Sequence, residues 1–257
     1  MSPSPPAPVL ARPEPLVPAP HRRFGLFASA ALGAFALAAL LLVVLHVDRY
    51  WGPIDPVTAM LSDYALCPGW WLWDGSLILT SAGSAAALVA LYRGRVLRGP
   101  FAVSVMLVWC LSVLVVAAFS KDPQGGAVTP AGKAHLYATA VSCVSLPVVG
   151  WLLGRRHRAW LPWSRFARWS RWLSLASLPF YLPFIVPFAV NVVLGGHLPT
   201  VATGLVERLM AVLELALLVV LVRWGPPPRR RGGPPARRGP RATAPPHRGS
   251  TLVVERT

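Results

Sequence analysis

The chain has 257 residues, of which 54% are hydrophobic and 13% charged, against about 25% charge in an ordinary soluble domain. Its formal net charge is nevertheless +16. A soluble single-core globule would lack polar cover, a disordered chain would lack this apolar content, and a histone-like nucleic-acid binder would lack this hydrophobicity. An integral membrane protein with basic flanks remains.

Residues 1–23 are rich in Pro and Ala and predict a disordered cytoplasmic segment. Phe24 to Val47 is the first of six stretches long enough to cross ~30 Å of hydrocarbon as a helix. It exceeds the apolar region of a secretory signal, and no small-residue cleavage site follows it, so it reads as a retained span. Next comes a segment outside the membrane. Asp55-Pro56 reads as an N-cap followed by proline at the first helical position. Val57, Met60, Leu61, Tyr64 and Ala65 recur at helical spacing, with Thr58, Ser62 and Asp63 on the other side. This predicts a short external amphipathic helix, ended by Cys67-Pro68-Gly69.

The further spans are Trp71 to Tyr92, Pro100 to Ser120, Pro130 to Leu153, Trp172 to Leu194 and Pro199 to Val222. In the second, Ser76, Thr80 and Ser84 lie beside Gly83 and Ala87 as a small-residue packing stripe. The inner loop Gly154 to Arg171 mixes Trp160, Trp163 and Trp169 with six arginines and is expected to lie flat on the inner leaflet. Pro179, Pro183 and Pro187 share a face of the fifth span, which should bend or break. Residues 225–257, rich in Pro, Arg and Gly, predict a disordered tail.

Charge fixes the orientation. With the N-terminus inside, 21 Lys and Arg fall in inner segments and three, Arg49, Lys121 and Lys133, in outer ones. The positive-inside rule then places both termini in the cytoplasm, which an even number of spans permits. The domain reading is 1–23 disordered, 24–224 membrane domain and 225–257 disordered. The fold class is an all-α bundle of six transmembrane helices.

The remaining ionisable residues mark the candidate site. Asp74, Asp122, His135, Glu207 and Arg208 come from four spans yet share the outer half. Intramembrane charges are costly and face the bundle interior or a cavity. Glu207 and Arg208 point ~100° apart, so Arg208 should meet a carboxylate of another span, Asp122 or Asp74. A structural ion-pair network and a polar pocket for a ligand or for proton transfer both fit. His46, His135 and His197 follow no metal-binding spacing. No Gly-x-Ser-x-Gly elbow is present. Neither a metal nor a cofactor is expected. Cys110 and Cys143 are mid-span and Cys67 stands alone outside, so no disulfide framework exists.

Ser62-Asp63-Tyr64-Ala65-Leu66 followed by Pro68-Gly69-Trp70, then Ala118-Phe119-Ser120-Lys121-Asp122-Pro123 with His135 at the start of the next span, then Gly204-Leu205-Val206-Glu207-Arg208, form an ordered series. From Asp55 to Trp224 the chain resembles the bacterial six-span proteins of domain-of-unknown-function family 998. Ser120 stands where that pattern has proline. The resemblance implies no established activity, cofactor or partner. It does point to Ser62, Tyr64, Asp122, His135, Glu207 and Arg208.

The expected protein is a multi-pass, non-enzymatic component of a bacterial plasma membrane. Its external polar cluster would bind a lipid headgroup or small ligand. Two alternatives stay open: an intramembrane lipid-modifying enzyme using Asp122 and His135, and a small-solute transporter. The expected partner is the bilayer, with anionic lipids against the basic cytoplasmic segments. Nucleic acid is not expected, since no aromatic residue interleaves the arginines after Trp224.

Overall fold

The computed structural model describes residues 20–123, 126–159, 164–183, 186, 190 and 203–224. Among these the secondary structure is helical, with no strand. The elements are α1 (Pro20–Val47), a 3-10 helix (Leu61–Leu66), α2 (Trp70–Arg93), α3 (Pro100–Ala118), α4 (Pro130–Arg156), α5 (Ser164–Ser177), a 3-10 turn (Leu178–Tyr181) and α6 (Thr203–Val222).

Local chemistry sets the boundaries. Gly99 has φ +95°, a conformation that suits glycine, and Pro100 then opens α3 at the position where a missing N–H costs nothing. Thr129 caps α4: its Oγ1 accepts the Gly132 N–H at 3.0 Å, and Pro130 follows. Inside α4, Pro147 has no N–H to give the carbonyl of Cys143. The Tyr181 hydroxyl donates to that carbonyl instead, so the break is satisfied by the neighbouring element.

Consecutive helices pack as neighbours, α1 on α2, α2 on α3, α3 on α4 and α4 on α5. α6 packs on α5 and also reaches α1, α2 and α4. The ends of α1 and α3 and the starts of α2, α4 and α6 therefore gather at one end, the upper end. A large buried apolar cluster fills the lower part, with Phe35, Leu91, Met106, Leu146, Leu153, Leu217 and Leu221. A smaller one, Leu45, Leu61, Tyr64, Leu72 and Trp73, seals the upper end. Small residues set the closest approaches. A Cβ on Gly83 would lie 2.7 Å from the ring of Phe35. One on Gly150 would lie 2.3 Å from Ser174 Oγ and 2.9 Å from Leu217. α5 answers this face of α4 with Ala167, Ser170, Ser174 and Ser177, all buried, and Ser170 Oγ donates to the Gly150 carbonyl at 3.0 Å. This is the small-residue packing that membrane helices use.

Four helices are long and apolar enough to cross a bilayer: Phe24–Val47, Trp70–Arg93, Pro100–Ala118 and Pro130–Arg156. A 24-residue helix spans ~36 Å. Leu26, Leu40, Ile78, Phe101, Leu111 and Val144 point outward and are exposed, forming the apolar girdle that lipid covers. This is a transmembrane helical protein.

Of the fifth span expected at Trp172 to Leu194, Trp172 to Ser177 form the end of α5, Leu178 to Tyr181 follow as a 3-10 turn, and much of the remainder lies outside the described residues. Two expectations need amendment. The inner loop Gly154 to Arg171 is correspondingly short, because α4 continues to Arg156 and α5 absorbs Ser164 onward. Trp160 and Trp163 lie outside the described residues. The external amphipathic helix is a turn followed by a 3-10 helix, and its Ser62, expected on the polar side, is buried with Leu61 and Tyr64. α6 is helical over 20 residues but carries Glu207, Arg208 and Glu214. Of the termini expected to be disordered, 1–23 and 225–257, Pro20 to Arg23 belong to α1 and the rest lies outside the described residues.

The close approach at Gly150 makes a prediction. Gly150→Val should lower unfolding stability in detergent by about 1–3 kcal/mol through overpacking, and Gly150→Ala by less. A thermal midpoint of Gly150→Val equal to that of the parent would remove the α4–α5–α6 close contact.

Candidate functional site

The site forms where non-helical backbone meets the start of α6. Asp55 Oδ1 accepts the N–H groups of Val57 at 2.7 Å and Thr58 at 3.0 Å, and these bonds hold its carboxyl below the usual range. The turn presents its carbonyls to α6. Leu205 N–H donates to Val57 O at 3.1 Å, Thr203 Oγ1 to Thr58 O at 3.3 Å and Arg208 Nη1 to Ala59 O at 2.8 Å. Only glycine fits at 204, where a Cβ would lie 2.2 Å from Ala59 O. In return Glu207 Oε2 accepts the Leu61 N–H at 2.5 Å. The 3-10 helix is thus pinned at its first residue by a side chain 146 positions away.

Two charged groups complete the clasp. Lys121 lies 2.5 Å from Asp63 and 3.4 Å from Ser62 Oγ. Asp63 Oδ2 accepts the Met60 N–H at 2.7 Å. Arg208 Nε donates to His46 Nε2 at 2.8 Å, and His46 Nδ1 contacts Leu42 O at 2.7 Å. An acceptor Nε2 requires the proton on Nδ1, so the bonds assign a neutral ring. The guanidinium also lies 5.8 Å from the ring centre of Tyr64, against whose ring His46 packs edge-on.

The expected partners of Arg208 are therefore overturned. It meets His46, two backbone carbonyls and Tyr64, and neither Asp122 nor Asp74. Asp122 is committed elsewhere. Its two oxygens take the Thr129 N–H at 2.9 Å and the Thr129 hydroxyl at 2.7 Å, and these bonds lower its pKa. It secures the entry to α4. Asp74 is half-buried and lines neither cavity described below. His135 is buried, with Nδ1 at 2.7 Å from Phe119 O. No hydrogen bond joins Asp122 to His135.

Two cavities meet beneath this clasp. One, about 880 Å³, runs beside α4 and α5 from Lys121, Lys133 and His135 to Trp151 and Ser174. The second, about 590 Å³, is bounded by α1, α2, α3, α4 and α6. Ser62, His135, Thr139, Cys143, Glu207 and Met210 line both. Ser76 and Thr80, read as part of a packing stripe, line the second, whereas Ser84 packs and accepts the Trp109 indole N–H at 2.9 Å.

A family model described as "Protein of unknown function (DUF998)" matches residues 34–224. The chain belongs to this family. The DUF998 match takes in every residue of the clasp, from His46 on α1 to Arg208 on α6. No curated protein and no solved structure matches the chain.

Within this DUF998 domain the structure joins Ser62, Tyr64, Glu207 and Arg208, sets His135 at the junction of the cavities, and leaves Asp122 at the rim and Asp74 apart. Sequence reasoning passed over His46, Asp63 and Lys121 as members. Lys121 and Asp63 carried a signal, since a basic and an acidic residue sit in two connecting segments at the same end of the bundle. Among the described residues no three His, Cys, Asp or Glu side chains gather as a metal site.

A double-mutant cycle checks the assignment of Arg208. Arg208→Ala and His46→Ala should couple by about 0.5–3 kcal/mol in stability, whereas Arg208→Ala and Asp122→Ala should be additive. Coupling to Asp122 instead would refute the described clasp.

Proposed function

We propose that this is a plasma-membrane protein with six spans, both termini cytoplasmic and the upper end external, whose α4–α5 groove binds a lipid by its acidic headgroup. The distribution of charge supports the topology: three Lys and Arg lie on the external side and 21 on the other. α6, tied to α1, α2, α4 and α5, would be the last span. The basic lower segments would rest against anionic lipid of the inner leaflet.

The observation that carries the binding reading is the polarity of the 880 Å³ groove. Lys121, Lys133 and His135 stand at its upper end beside Asp122 and Glu207, whose oxygens are taken by Thr129 and by the Leu61 N–H, and Leu136, Val144, Pro147, Val148, Trp151 and Leu175 follow it downward. Lys133 is exposed in the first turn of α4, where the helix dipole adds positive potential. The groove follows α4 from Gly132 to Trp151, ~28 Å by helical rise, a length that suits an acyl chain. A polar mouth with an apolar shaft matches an amphiphile and does not match a wholly polar solute.

Native mass spectrometry of the protein released from membranes should show bound phospholipid. Lys133→Glu should reduce anionic lipid selectively, and Val144→Trp, which fills the shaft, should reduce all bound lipid. Retention of lipid by Val144→Trp at parental occupancy would count against the groove. The topology has its own test: a reporter inserted between Lys121 and Gly132 should read as external, and a cytoplasmic reading would reverse the orientation.

A further inference from the structure

The second cavity contains an unusual set of unsatisfied groups. The Trp73 indole N–H, Arg208 Nη2 and Glu214 Oε1 are buried without a hydrogen-bond partner. All three side chains line this one cavity. Buried polar atoms are paired in the great majority of cases, and an orphan in a low-dielectric interior is costly. Their convergence on a single 590 Å³ space indicates what fills it.

In the structure the neighbouring side chains do not supply the missing bonds. Ser76 and Thr80 donate to Trp73 O and Ser76 O. Thr139 and Ser142 donate to His135 O and Thr139 O. Tyr181 gives its proton to Cys143 O and also interacts with Glu214, yet Glu214 Oε1 keeps no partner. Glu207 already holds the Leu61 N–H. Arg208 uses Nε and Nη1 on His46, Ala59 and Gly204, leaving Nη2 for another acceptor.

The orphans also have an order. Trp73 packs in the upper cluster with Tyr64, over which Arg208 lies, so both unused donors are at the upper level. Glu214 is six residues beyond Arg208 on the same helix, ~9 Å lower by helical rise. Between them the walls are largely apolar, with Leu77, Val113, Ala211 and Leu215. Donors above, an apolar stretch, and an acceptor below describe the complement of a short bifunctional molecule.

We infer that the central cavity is a binding site for a small zwitterion, with its acid group on Arg208 and Trp73 and its ammonium group on Glu214. Both ends of the guest would be satisfied by groups that the fold leaves unpaired, and its methylene chain would lie against the apolar walls. Trp73, Arg208 and Glu214 line the second cavity and not the α4–α5 groove, although the two spaces meet, and the inference does not rest on lipid binding in the groove.

The test uses the full chain in phosphatidylcholine nanodiscs and radiolabelled ε-aminocaproate as probe. Saturable binding is expected, displaced by the unlabelled amino acid far better than by hexylamine or hexanoate. Glu214→Gln should weaken it about tenfold or more, and Trp73→Phe, which removes only the N–H, about threefold. Asp74→Asn, which touches neither cavity, should leave it unchanged. Trp73→Phe preserves the packing, so it decides the matter if Glu214→Gln fails to fold. Absence of saturable binding, equal displacement by hexylamine alone, or undiminished binding in both variants would overturn the proposal. So would a map at saturating probe that shows only water bridging the three atoms.

Discussion

Irregular backbone inside a helical membrane bundle must find partners for its N–H and C=O groups within the protein, because lipid offers none. The segment from Asp55 to Leu66 caps the upper end of such a bundle: Asp55 to Thr58 are exposed, whereas Leu61 and Tyr64 are buried. The first turns of α6 meet that demand. Leu205, Arg208 and Thr203 satisfy carbonyls of Val57, Ala59 and Thr58, and Glu207 satisfies the N–H of Leu61. The clasp at the upper end, and both cavities below it, rest on this exchange. Glu207 and Arg208 are accordingly first of all supports for a buried loop. Their unused atoms are what the cavity has to offer.

This arrangement explains how adjacent residues of opposite charge can stand in the otherwise apolar helix α6. Two neighbouring positions on a helix point ~100° apart. One side chain can therefore serve the N–H of Leu61 while the other takes the carbonyl of Ala59, and a single residue type could do only half of this. The cost of burying each charge is offset by charge-assisted hydrogen bonds to backbone, by Lys121 near Glu207 and by the His46 acceptor of Arg208.

Much of the architecture was legible from residue order. Helix existence in the first four spans followed from long apolar runs, and the upper-end charges stood out because so few charges remain after the inner arginines are assigned. The errors have physical sources. Leu61 and Tyr64 are three apart, a spacing that a 3-10 helix satisfies as well as an α-helix, and hydrogen bonding to Glu207 decides between them. Asp122 and Arg208 both lie toward the upper end, but a shared end says nothing of lateral position, and Asp122 is held by Thr129 seven residues away. That α5 starts at Ser164, within the expected inner loop, was hidden because Arg165, Arg168 and Trp169 resemble an interfacial anchor. The better signal was Ala167, Ser170, Ser174 and Ser177, a small-residue face that only a packed helix would need. The cavities were not legible at all, since an empty volume depends on side chains from five helices at once.

The dependence of an early segment on the last described helix also has a consequence for biosynthesis. A ribosome delivers α1 to α5 before Thr203 emerges. Until then the carbonyls of Val57 and Ala59 and the N–H of Leu61 have no partners from α6. The early segment must therefore wait in the aqueous phase or in the shelter of the insertion machinery, and the upper end cannot settle stepwise behind the growing chain. Arrival of α6 then closes the loop, the His46 contact and the Tyr64 contact in one event. A nascent chain stopped short of this helix exposes polar backbone, a feature by which membrane quality control can tell an unfinished copy from a finished one.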